Sequence, residues 1–353
     1  MLFINLSAKF ANIGKRMKKV LVTGGAGYIG SHTIVELIQE GIEPIILDSF
    51  GNSEKSAVLG IEKILGKALQ VYEIDLLNKE ALRTVFEEND ISGVIHFAAW
   101  KAVGESVQNP LKYYHNNITG LVNLLECTQE FKVNNVVFSS SCTVYGQPDI
   151  LPVSELAPEK KAESPYGFTK QIGEQVLRDF HRSEENFSAV LLRYFNPIGA
   201  HPSSQIGELP LGTPNNLVPF ITQTAAGIRE KLTVFGSDYN TPDGTCIRDY
   251  IHVCDLAKAH VKALFWLDKN PGKIDAFNIG TGQGNTVLEV IHAFEKVSGK
   301  KLNYSIGDRR GGDIEKVYAD NTKALKELGW KAEKTLDNSM LDAWNWQRKL
   351  KEI

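Results

Sequence analysis

Residues 20–30 are Val-Leu-Val-Thr-Gly-Gly-Ala-Gly-Tyr-Ile-Gly, a short apolar run that ends in a cluster of glycines. The run predicts a buried strand, and the pattern that follows it predicts a helix. Glycines between a strand and a helix allow a tight turn and let the backbone approach a pyrophosphate, whose oxygens then face the helix N-terminus. Glycine clusters also form turns that bind nothing. In this context Gly24, Gly27 and Gly30 predict a dinucleotide site.

An aspartate, Asp48, closes the second apolar run of the chain. A carboxylate at this position can accept hydrogen bonds from both hydroxyls of an adenosine ribose. Ser49 and Phe50 follow, and neither supplies the positive charge that would receive a 2′-phosphate, so the sequence favours NAD over NADP. Asp75 ends the third run, where it is expected either to meet the adenine or to cap a helix.

Apolar runs and helical patterns alternate along the first half of the chain. The predicted strands are Val20–Thr23, Ile45–Asp48, Val71–Ile74, Val94–Ala99, Val136–Ser140 and Ala189–Tyr194. The predicted helices include Tyr28–Glu40, Leu111–Phe131 and Tyr166–His181. Continuous apolar strands are typical of a sheet covered on both faces, and alternation with helices implies right-handed βαβ crossovers. The predicted fold class is therefore α/β, a doubly wound parallel sheet of the Rossmann type.

The second half of the chain has a different texture, with proline- and glycine-containing loops after Tyr194. It predicts a smaller C-terminal substrate-binding lobe over the carboxyl edge of the sheet, where such folds bind ligands. The expected division is a cofactor-binding Rossmann domain at 17–195 and a lobe at 196–353, with 249–270 returning to the Rossmann domain. Residues 1–16 are expected to be an extension outside the fold, with an organelle-targeting segment as the alternative.

Composition excludes several classes of protein. The chain has 353 residues and a net charge of −3, which gives no long-range attraction for nucleic acid or an anionic membrane. No apolar run approaches the ~18 residues of a spanning helix. Four scattered cysteines form no Cys-x-x-Cys pair. They predict reduced thiols in a cytoplasmic protein rather than a disulfide framework or a metal site.

Tyr166 and Lys170 are four residues apart in a predicted helix, so they share one face. A phenol is a poor base at neutral pH, with an ordinary pKa of about 10. A nearby ammonium is expected to lower the pKa of the phenol toward the useful range. This spacing is also common by chance between two solvated residues. Ser141, at the end of the Val136–Ser140 run, adds a hydroxyl that could share a proton with Tyr166.

Several longer stretches together identify a family. They are TGGAGYIGSHT, HFAAWKAVGESVQNPLKYYHNN, SSSCTVYG, LLRYFNPIGAHP, PNNLVPF, DGTCIRDYIHV and RRGGD. With them the chain resembles the extended short-chain dehydrogenase/reductases, and among these the UDP-glucose 4-epimerase family, from Lys18 to about Arg348. The resemblance implies an isomerase of galactose metabolism that interconverts UDP-galactose and UDP-glucose through a transient 4-keto sugar, with NAD as cofactor. It also implies a homodimer formed through the helices at 111–131 and 166–181.

The resemblance also implies individual contacts. The residues expected to line NAD are Tyr28, Ile29, Asp48, Ser49, Phe50, Gly51, Asn52, Ser53, Asp75, Leu76, Phe97, Ala98, Ala99, Lys101, Asn116, Ser141, Tyr166, Lys170 and Phe195. Those expected to hold the UDP-sugar are Ser141, Tyr166, Asn196, Asn216, Leu217, Arg248, Arg310, Asp313 and Val317. The arginines suit the diphosphate, because a guanidinium fork matches phosphate oxygens. Arg309 is the alternative to Arg310.

Two positions separate reactions within the superfamily. The similar sugar-nucleotide dehydratases carry an Asp-Glu pair where this chain has Cys142 and Thr143. A thiol and a hydroxyl cannot do the acid–base work of two carboxylates at neutral pH, so elimination and decarboxylation are disfavoured. A net sugar-nucleotide dehydrogenase or another 4-epimerase remains open. A non-catalytic NAD-binding regulator is disfavoured by the presence of Tyr166 and Lys170.

Substrate range is expected to depend on one position after the Arg-Gly-Gly-Asp stretch. In the resembling family it borders the 2-substituent of the sugar, and a bulky aromatic there is associated with exclusion of N-acetylated sugars. Val317 occupies this position here, which leaves room for an acetamido group. A shift of one residue would instead place Tyr318 there and reverse the prediction. In a further alternative, Val317 only packs under the sugar.

Overall fold

A computed structural model of the chain describes residues 18–310 and 314–351. Its strands are β1 Lys19–Thr23, β2 Glu43–Asp48, β3 Gln70–Glu73, β4 Gly93–His96, β5 Asn135–Ser139, β6 Ser188–Tyr194, β7 Asn196–Ile198, β8 Leu232–Phe235, β9 Ile247–His252, β10 Ile274–Ile279, β11 Gly284–Thr286, β12 Tyr304–Gly307 and β13 Lys316–Val317. Its α-helices are α1 Tyr28–Gln39, α2 Lys55–Leu65, α3 Lys79–Glu88, α4 Val103–Gln108, α5 Pro110–Tyr114, α6 Gly120–Glu130, α7 Pro165–Ser183, α8 Leu217–Ala225, α9 Val253–Lys269, α10 Val287–Ser298 and α11 Leu336–Lys351. The extension predicted at residues 1–16 lies outside the described residues.

A seven-stranded parallel sheet forms the centre of the molecule, in the order β10-β6-β5-β4-β1-β2-β3. The chain runs from β1 to one edge through β2 and β3, then starts again at β4 and runs to the other edge. The strand order therefore reverses between β1 and β4, which is where open α/β sheets bind ligands at the carboxyl ends of their strands. The predicted fold class is confirmed.

Both faces of this sheet are covered by apolar side chains. Val20 and Val22 of β1 pack into one cluster with helices α1, α2 and α9. Leu21, between them, packs into a second cluster with α3, α6 and α7. Successive strand residues point to opposite faces. A strand buried on both faces therefore has the continuous apolar sequence that predicted it.

The helix predicted at 111–131 is interrupted. It consists of α5 and α6 joined by a π-helical turn at His115–Thr119. Such turns are inserted into α-helices at single places, frequently near functional sites. The sequence analysis predicted one continuous helix here and did not indicate the interruption.

The second half of the chain contributes to both parts of the molecule. Helix α9 packs on α1 and the sheet, and β10 pairs with β6 at the edge of that sheet. The segment that returns to the large sheet thus continues past residue 270, the end expected for it. The remaining elements form a smaller lobe around the cluster that α8, β8, α10 and α11 share.

The smaller lobe has its own sheets. Strand β9 pairs with β7, β11 and β13, and β8 pairs with β12. Asp249, inside β9, is fully buried. It accepts hydrogen bonds from Thr281 N (2.8 Å) and Oγ1 (2.7 Å), Gly282 N (3.0 Å) and Ala319 N (3.1 Å). This carboxylate therefore ties β9 to the strand segments beside it.

Among the described residues, no helix combines the length and the apolarity needed to cross a membrane.

Candidate functional site

The glycine turn after β1 is built by close backbone approaches. Gly24 has φ +70°, and a Cβ there would lie 2.8 Å from Ala98 N. A Cβ at Gly30 would lie 2.3 Å from the carbonyl oxygen of Gly24. Helix α1 begins after Gly27, and no side chain caps it. Its first N–H groups lack intrahelical partners and therefore form a positive concave surface suited to phosphate oxygens.

Asp48 lies beside this turn and is 7% exposed. Its Oδ2 accepts a hydrogen bond from Ala26 N (3.0 Å), while its Oδ1 accepts from Phe50 N (2.9 Å) and Ser53 Oγ (2.8 Å). A carboxylate has about four acceptor positions, so Oδ2 keeps acceptor capacity after these bonds form. The side chain is thus held rigidly next to the turn and can still accept a ribose hydroxyl. Of the predicted residues around it, Ser49, Gly51 and Asn52 are exposed.

Asp75 and Leu76 follow β3. Asp75 is exposed, and its Oδ1 accepts a hydrogen bond from Leu77 N at 2.9 Å. The alternative that Asp75 caps the next helix is wrong, because Asn78 caps α3 through Ala81 N at 3.2 Å. Leu76 is buried, and its Cβ lies 3.2 Å from where a Cβ at Gly120 would be.

The segment after β4 runs across the same edge of the sheet. Phe97, Ala98 and Ala99 are half-buried, and Lys101 is exposed with its Nζ 5.9 Å from the centre of the Tyr28 ring. Asn116 lies in the π-helical turn and donates to Asn117 Oδ1 at 2.9 Å.

Asn117 is a residue that the sequence analysis missed. It is buried, accepts a hydrogen bond from Trp100 N (2.9 Å), and donates to Trp100 O (3.0 Å) and to Thr169 Oγ1 (3.1 Å). It therefore joins the segment after β4 to helix α7. The π-helical turn that positions it gave no sequence signal.

Ser141, Tyr166 and Lys170 are brought together at the carboxyl ends of β5 and β6. Ser164 caps α7 by accepting from Gly167 N at 3.1 Å, with Pro165 at the first helical position. Tyr166 thus lies in the first turn, and Lys170 follows one turn later. All three side chains are buried, and the hydroxyl of Ser141 is near enough to the phenol of Tyr166 to affect its ionisation.

The pKa of Tyr166 differs from the expectation. Burial raises the pKa of Tyr166 well above its usual range and Tyr194 adds to the rise, while the Ser141 hydroxyl opposes it. The Nζ of Lys170 donates to Ser139 O at 2.6 Å and lies 5.9 Å from the centre of the Tyr166 ring. Burial lowers the pKa of Lys170 itself to about 8. The net change in the Tyr166 pKa is therefore a rise, opposite to the expected lowering, because burial outweighs the other influences.

The substrate side of the site is assembled from several segments. Asn196 begins β7, next to the buried Phe195, and Arg248 lies on β9 with its Nη1 donating to Ile247 O at 2.9 Å. The charge of Arg248 acts on the thiol of Cys142, partly opposing the rise that burial causes in the pKa of that thiol. Arg248 is therefore near the serine segment that carries Ser141.

Asn216 and Leu217 lie at the start of α8. Asn216 is exposed and its Nδ2 donates to Glu208 Oε1 at 2.5 Å. Leu217, half-buried, is the first residue of the helix.

Arg309 and Arg310 have different surroundings. Arg309 donates through Nε to Asp238 Oδ1 and through Nη2 to Asp238 O, both at 2.7 Å, and stacks 4.0 Å from the centre of the Tyr239 ring. Arg310 is exposed, with its guanidinium 5.7 Å from the centre of the Phe235 ring. Arg309 would therefore have to give up its bonds to Asp238 in order to bind a phosphate. Asp313 lies outside the described residues.

Val317 is 4% exposed and packs with Phe195, Val144 and Tyr145. Within β13 it pairs with Arg248 in register. The next residue, Tyr318, lies against Gly284, where an added Cβ would be 3.1 Å from its ring. Val317 and Tyr318 thus have different neighbours, and Val317 is the one beside Phe195.

No group of three or more His, Cys, Asp or Glu side chains within 18–310 and 314–351 is placed to hold a metal ion. The turn, Asp48 and the Ser141–Tyr166–Lys170 group instead form one continuous edge that can hold a dinucleotide and move a proton.

Comparison with known proteins agrees with this geometry. A family model described as "NAD dependent epimerase/dehydratase family" matches residues 20–280. A UDP-glucose 4-epimerase of Bacillus subtilis (strain 168) is 55% identical over 93% of this chain and 96% of its own.

Two solved structures are similar over nearly the full length. A UDP-glucose 4-epimerase from Bifidobacterium longum, in complex with NAD+ and UDP, has 47% identity and a TM-score of 0.91, covering 94% of this chain and 98% of its own. One from Stenotrophomonas maltophila, with bound NAD and formylated UDP-arabinopyranose, has 48% identity and a TM-score of 0.93, covering 96% and 99%.

Proposed function

The chain belongs to the NAD dependent epimerase/dehydratase family, and we infer that it interconverts UDP-galactose and UDP-glucose by inverting the configuration at C4 of the sugar. It is an NAD-dependent isomerase. The observation that carries this conclusion is the identity of 55% to a UDP-glucose 4-epimerase over nearly the full length of both chains. We assign the cofactor to the part at 17–195 and the UDP-sugar mainly to the part at 196–353.

The residues at the carboxyl edge fit NAD. The uncapped start of α1 suits a pyrophosphate, and the remaining acceptor capacity of Asp48 suits a ribose. Oxidised NAD held by these residues would supply a hydride acceptor and would add a positive charge to the site. A positive charge lowers the pKa of a neighbouring phenol.

Tyr166 is the group that moves the proton. As a phenolate it takes the proton of the sugar 4-hydroxyl while that carbon is oxidised, which leaves a 4-keto sugar. Ser141, whose hydroxyl favours the ionised form of the phenol, is placed to share the proton with Tyr166. When the sugar has turned over in the pocket and is reduced on its other face, Tyr166 returns the proton to the oxygen. Lys170 supports the phenolate by its charge.

The UDP portion is held by arginines from different strands and loops. Arg248 on β9 and Arg310 after β12 carry the guanidinium groups, and Asn196, Asn216 and Leu217 lie on the segments beside them. Guanidinium groups bind phosphate oxygens in a bidentate way. A firmly held UDP lets the sugar rotate without leaving the site.

The direct test is incubation of the purified holoenzyme with UDP-galactose. UDP-glucose should accumulate to an equilibrium mixture, without a steady rise in NADH absorbance. A net dehydrogenase would consume added NAD with a continuing absorbance change, and a non-catalytic NAD-binding protein would leave UDP-galactose unchanged.

We further propose that UDP-N-acetylhexosamines are substrates. Val317 is small. It belongs to the same buried cluster as Phe195, which is assigned to the cofactor, and it pairs with Arg248, which is assigned to UDP. A turnover assay with UDP-N-acetylgalactosamine tests this. Turnover of the non-acetylated sugar alone would show that another wall sets the size of the pocket.

We propose a homodimer formed through α5, α6 and α7, the helices at 111–131 and 166–181. Five apolar side chains of this region are exposed in the single chain, three on these helices and two on the adjoining α4: Leu111 (80%), Phe168 (46%), Val122 (38%), Val107 (61%) and Val103 (49%). A two-fold axis would pair the same helices of two copies and bury them. Light scattering at micromolar concentration should give twice the monomer mass, and Leu111→Glu should reduce it. A monomer mass for the unmodified protein contradicts the dimer.

A cytoplasmic location is part of the same proposal. Cys127, Cys142, Cys246 and Cys254 are free thiols. Unpaired thiols persist in reducing compartments.

A further inference from the structure

A buried ion pair lies directly behind the catalytic helix. Glu174 on α7, one turn beyond Lys170, is 1% exposed, and Arg193 on β6 is 3% exposed. Arg193 donates through Nε to Glu174 Oε1 at 2.9 Å and through Nη2 to Glu174 Oε2 at 2.6 Å. Neither residue belongs to the sites described above.

This pair joins the three chain segments that carry the catalytic groups. Ser140, which precedes Ser141, donates its hydroxyl to Glu174 Oε1 at 2.5 Å. Arg193 is followed along the chain by Tyr194 and Phe195, and its Nη1 donates to Tyr145 Oη at 3.1 Å. The serine segment, helix α7 and strand β6 are therefore fastened to one another at a single carboxylate.

Glu174 and Lys170 are four residues apart on α7, so they lie on the same face of the helix, one turn from each other. The other groups around Lys170 are the phenol of Tyr166 on α7, the Phe138 ring on β5 at 5.0 Å, and His96 on β4, whose pKa burial lowers to about 3 and which is therefore neutral. Burial lowers the pKa of Lys170, and Glu174 opposes that change.

Three further charged groups surround Glu174. Arg193 on β6 is its bidentate partner, and Glu159 accepts from Arg193 Nη2 at 2.9 Å. Arg178, one turn further along α7, is 3.4 Å away and partly exposed.

Stability alone is a poor reason for such a pair. Replacing a buried ion pair by apolar residues is often neutral or stabilising, because both charges lose their hydration. Removing one partner is strongly destabilising, since the other charge stays buried without compensation. A function for the charge of Glu174 explains its position next to Lys170.

We propose that Glu174 is a positioning residue for the reaction, which fastens Ser141 to the helix of Tyr166 and Lys170 and by its charge keeps Lys170 an ammonium. This inference rests on the proposed function. It has two parts, the charge of Glu174 and its hydrogen bonds to Ser140 and Arg193, which can be tested separately. An amide in place of the carboxylate removes the charge, whereas a shorter carboxylate keeps the charge and weakens the hydrogen bonds.

The test is the pH profile of kcat for UDP-galactose epimerisation by the holoenzyme. In Glu174→Gln the alkaline limb should move toward lower pH by about one unit, as expected when an opposite charge near an ionisable group is lost. At pH 8 this variant should then retain a fraction of its own maximal kcat that is about fivefold smaller than the fraction the unmodified enzyme retains. In Glu174→Asp the limb should stay within a few tenths of a unit while the maximal kcat falls about threefold or more, with KM little changed.

Asp179→Asn is the matched control, since it makes the same acid-to-amide change on an exposed part of α7. It should leave kcat and the limb unchanged. A limb that stays in place in folded Glu174→Gln overturns the role of the charge. A Glu174→Asp enzyme with unchanged kcat overturns the fastening, and it decides the matter even where Glu174→Gln does not fold. Absence of epimerisation by the unmodified enzyme would instead contradict the proposed function itself.

Discussion

The cofactor side and the sugar side of the site are built in different ways. On the cofactor side, the elements follow one another in the chain as β1, the glycine turn, α1 and β2. Asp48, at the end of β2, accepts a hydrogen bond from Ala26 N of the turn at 3.0 Å. On the sugar side, Arg248, Arg310 and Val317 come from separate segments of the second half. The first region is a local structure that the backbone dictates, whereas the second exists only when the lobe has folded over the sheet.

Because the two sides are built from different segments, substitutions on each side are expected to affect the binding of a different ligand. A change on the cofactor side should alter retention of NAD and leave the affinity for UDP-sugar alone. A change on the sugar side should do the reverse. Tyr166 lies between the two regions, so its loss should affect the chemical step and neither affinity.

The largest effect is expected at that junction. Tyr166→Phe removes the proton-transfer group, and kcat should fall by about 10²–10⁴-fold. NAD retention and the melting temperature should stay close to those of the unmodified enzyme, because only one hydroxyl is lost. Tyr72→Phe, which removes a phenol on β3, is the control. Activity within severalfold of the unmodified enzyme would remove Tyr166 from its role.

The next effect concerns the cofactor side. Asp48→Ala should weaken NAD binding about a hundredfold, since hydrogen bonds to a charged group contribute roughly 1.5–3 kcal/mol each. The affinity for UDP-sugar, measured by calorimetry on protein saturated with NAD, should stay unchanged. Glu43→Ala, at the other end of the same strand, should leave both affinities as they are. Equal losses of NAD and UDP-sugar affinity would mean that the two regions are not separable.

A smaller effect separates two neighbouring arginines. Arg310→Gln should raise KM for UDP-galactose about tenfold or somewhat more, because one charge-assisted contact with phosphate is lost. Arg309→Gln should change it little, since that guanidinium is held by Asp238. NAD retention should be the same in both. The reverse order of KM values would transfer the phosphate contact to Arg309.

The smallest effect concerns the choice of sugar. Val317→Tyr should lower kcat/KM for UDP-N-acetylgalactosamine by at least about fivefold and leave UDP-galactose nearly unaffected, because over-filling a packed site costs roughly 1–3 kcal/mol. Val317→Ile, which adds one methylene, is the control and should preserve both activities. Equal loss with both sugars would mean that Val317 supports the packing around Phe195 and does not select the substrate.

Much of the fold was predictable from the chain. Six strands of the large sheet were predicted, five of them within two residues of their observed bounds, because strands buried on both faces are continuous apolar runs. The sixth, β4, ends at His96 and not at Ala99. The seventh, β10, was missed, since Ile-Asp-Ala-Phe-Asn-Ile mixes polar and apolar residues at an edge. The π-helical turn that places Asn117 was missed as well. It is a local change within a segment that was predicted as one continuous helix.

The sequence by itself determined the glycine turn, the aspartate after β2 and the shared face of Tyr166 and Lys170, because each depends on residues close together in the chain. Only the tertiary structure decided how these groups ionise. Burial raises the pKa of Tyr166 and lowers that of Lys170, and the spacing of the two residues predicted neither change. The tertiary structure also placed Glu174 within hydrogen-bond distance of Arg193, and Val317 in the same buried cluster as Phe195. Charge and desolvation depend on every group that surrounds a site, and those groups come from the whole chain.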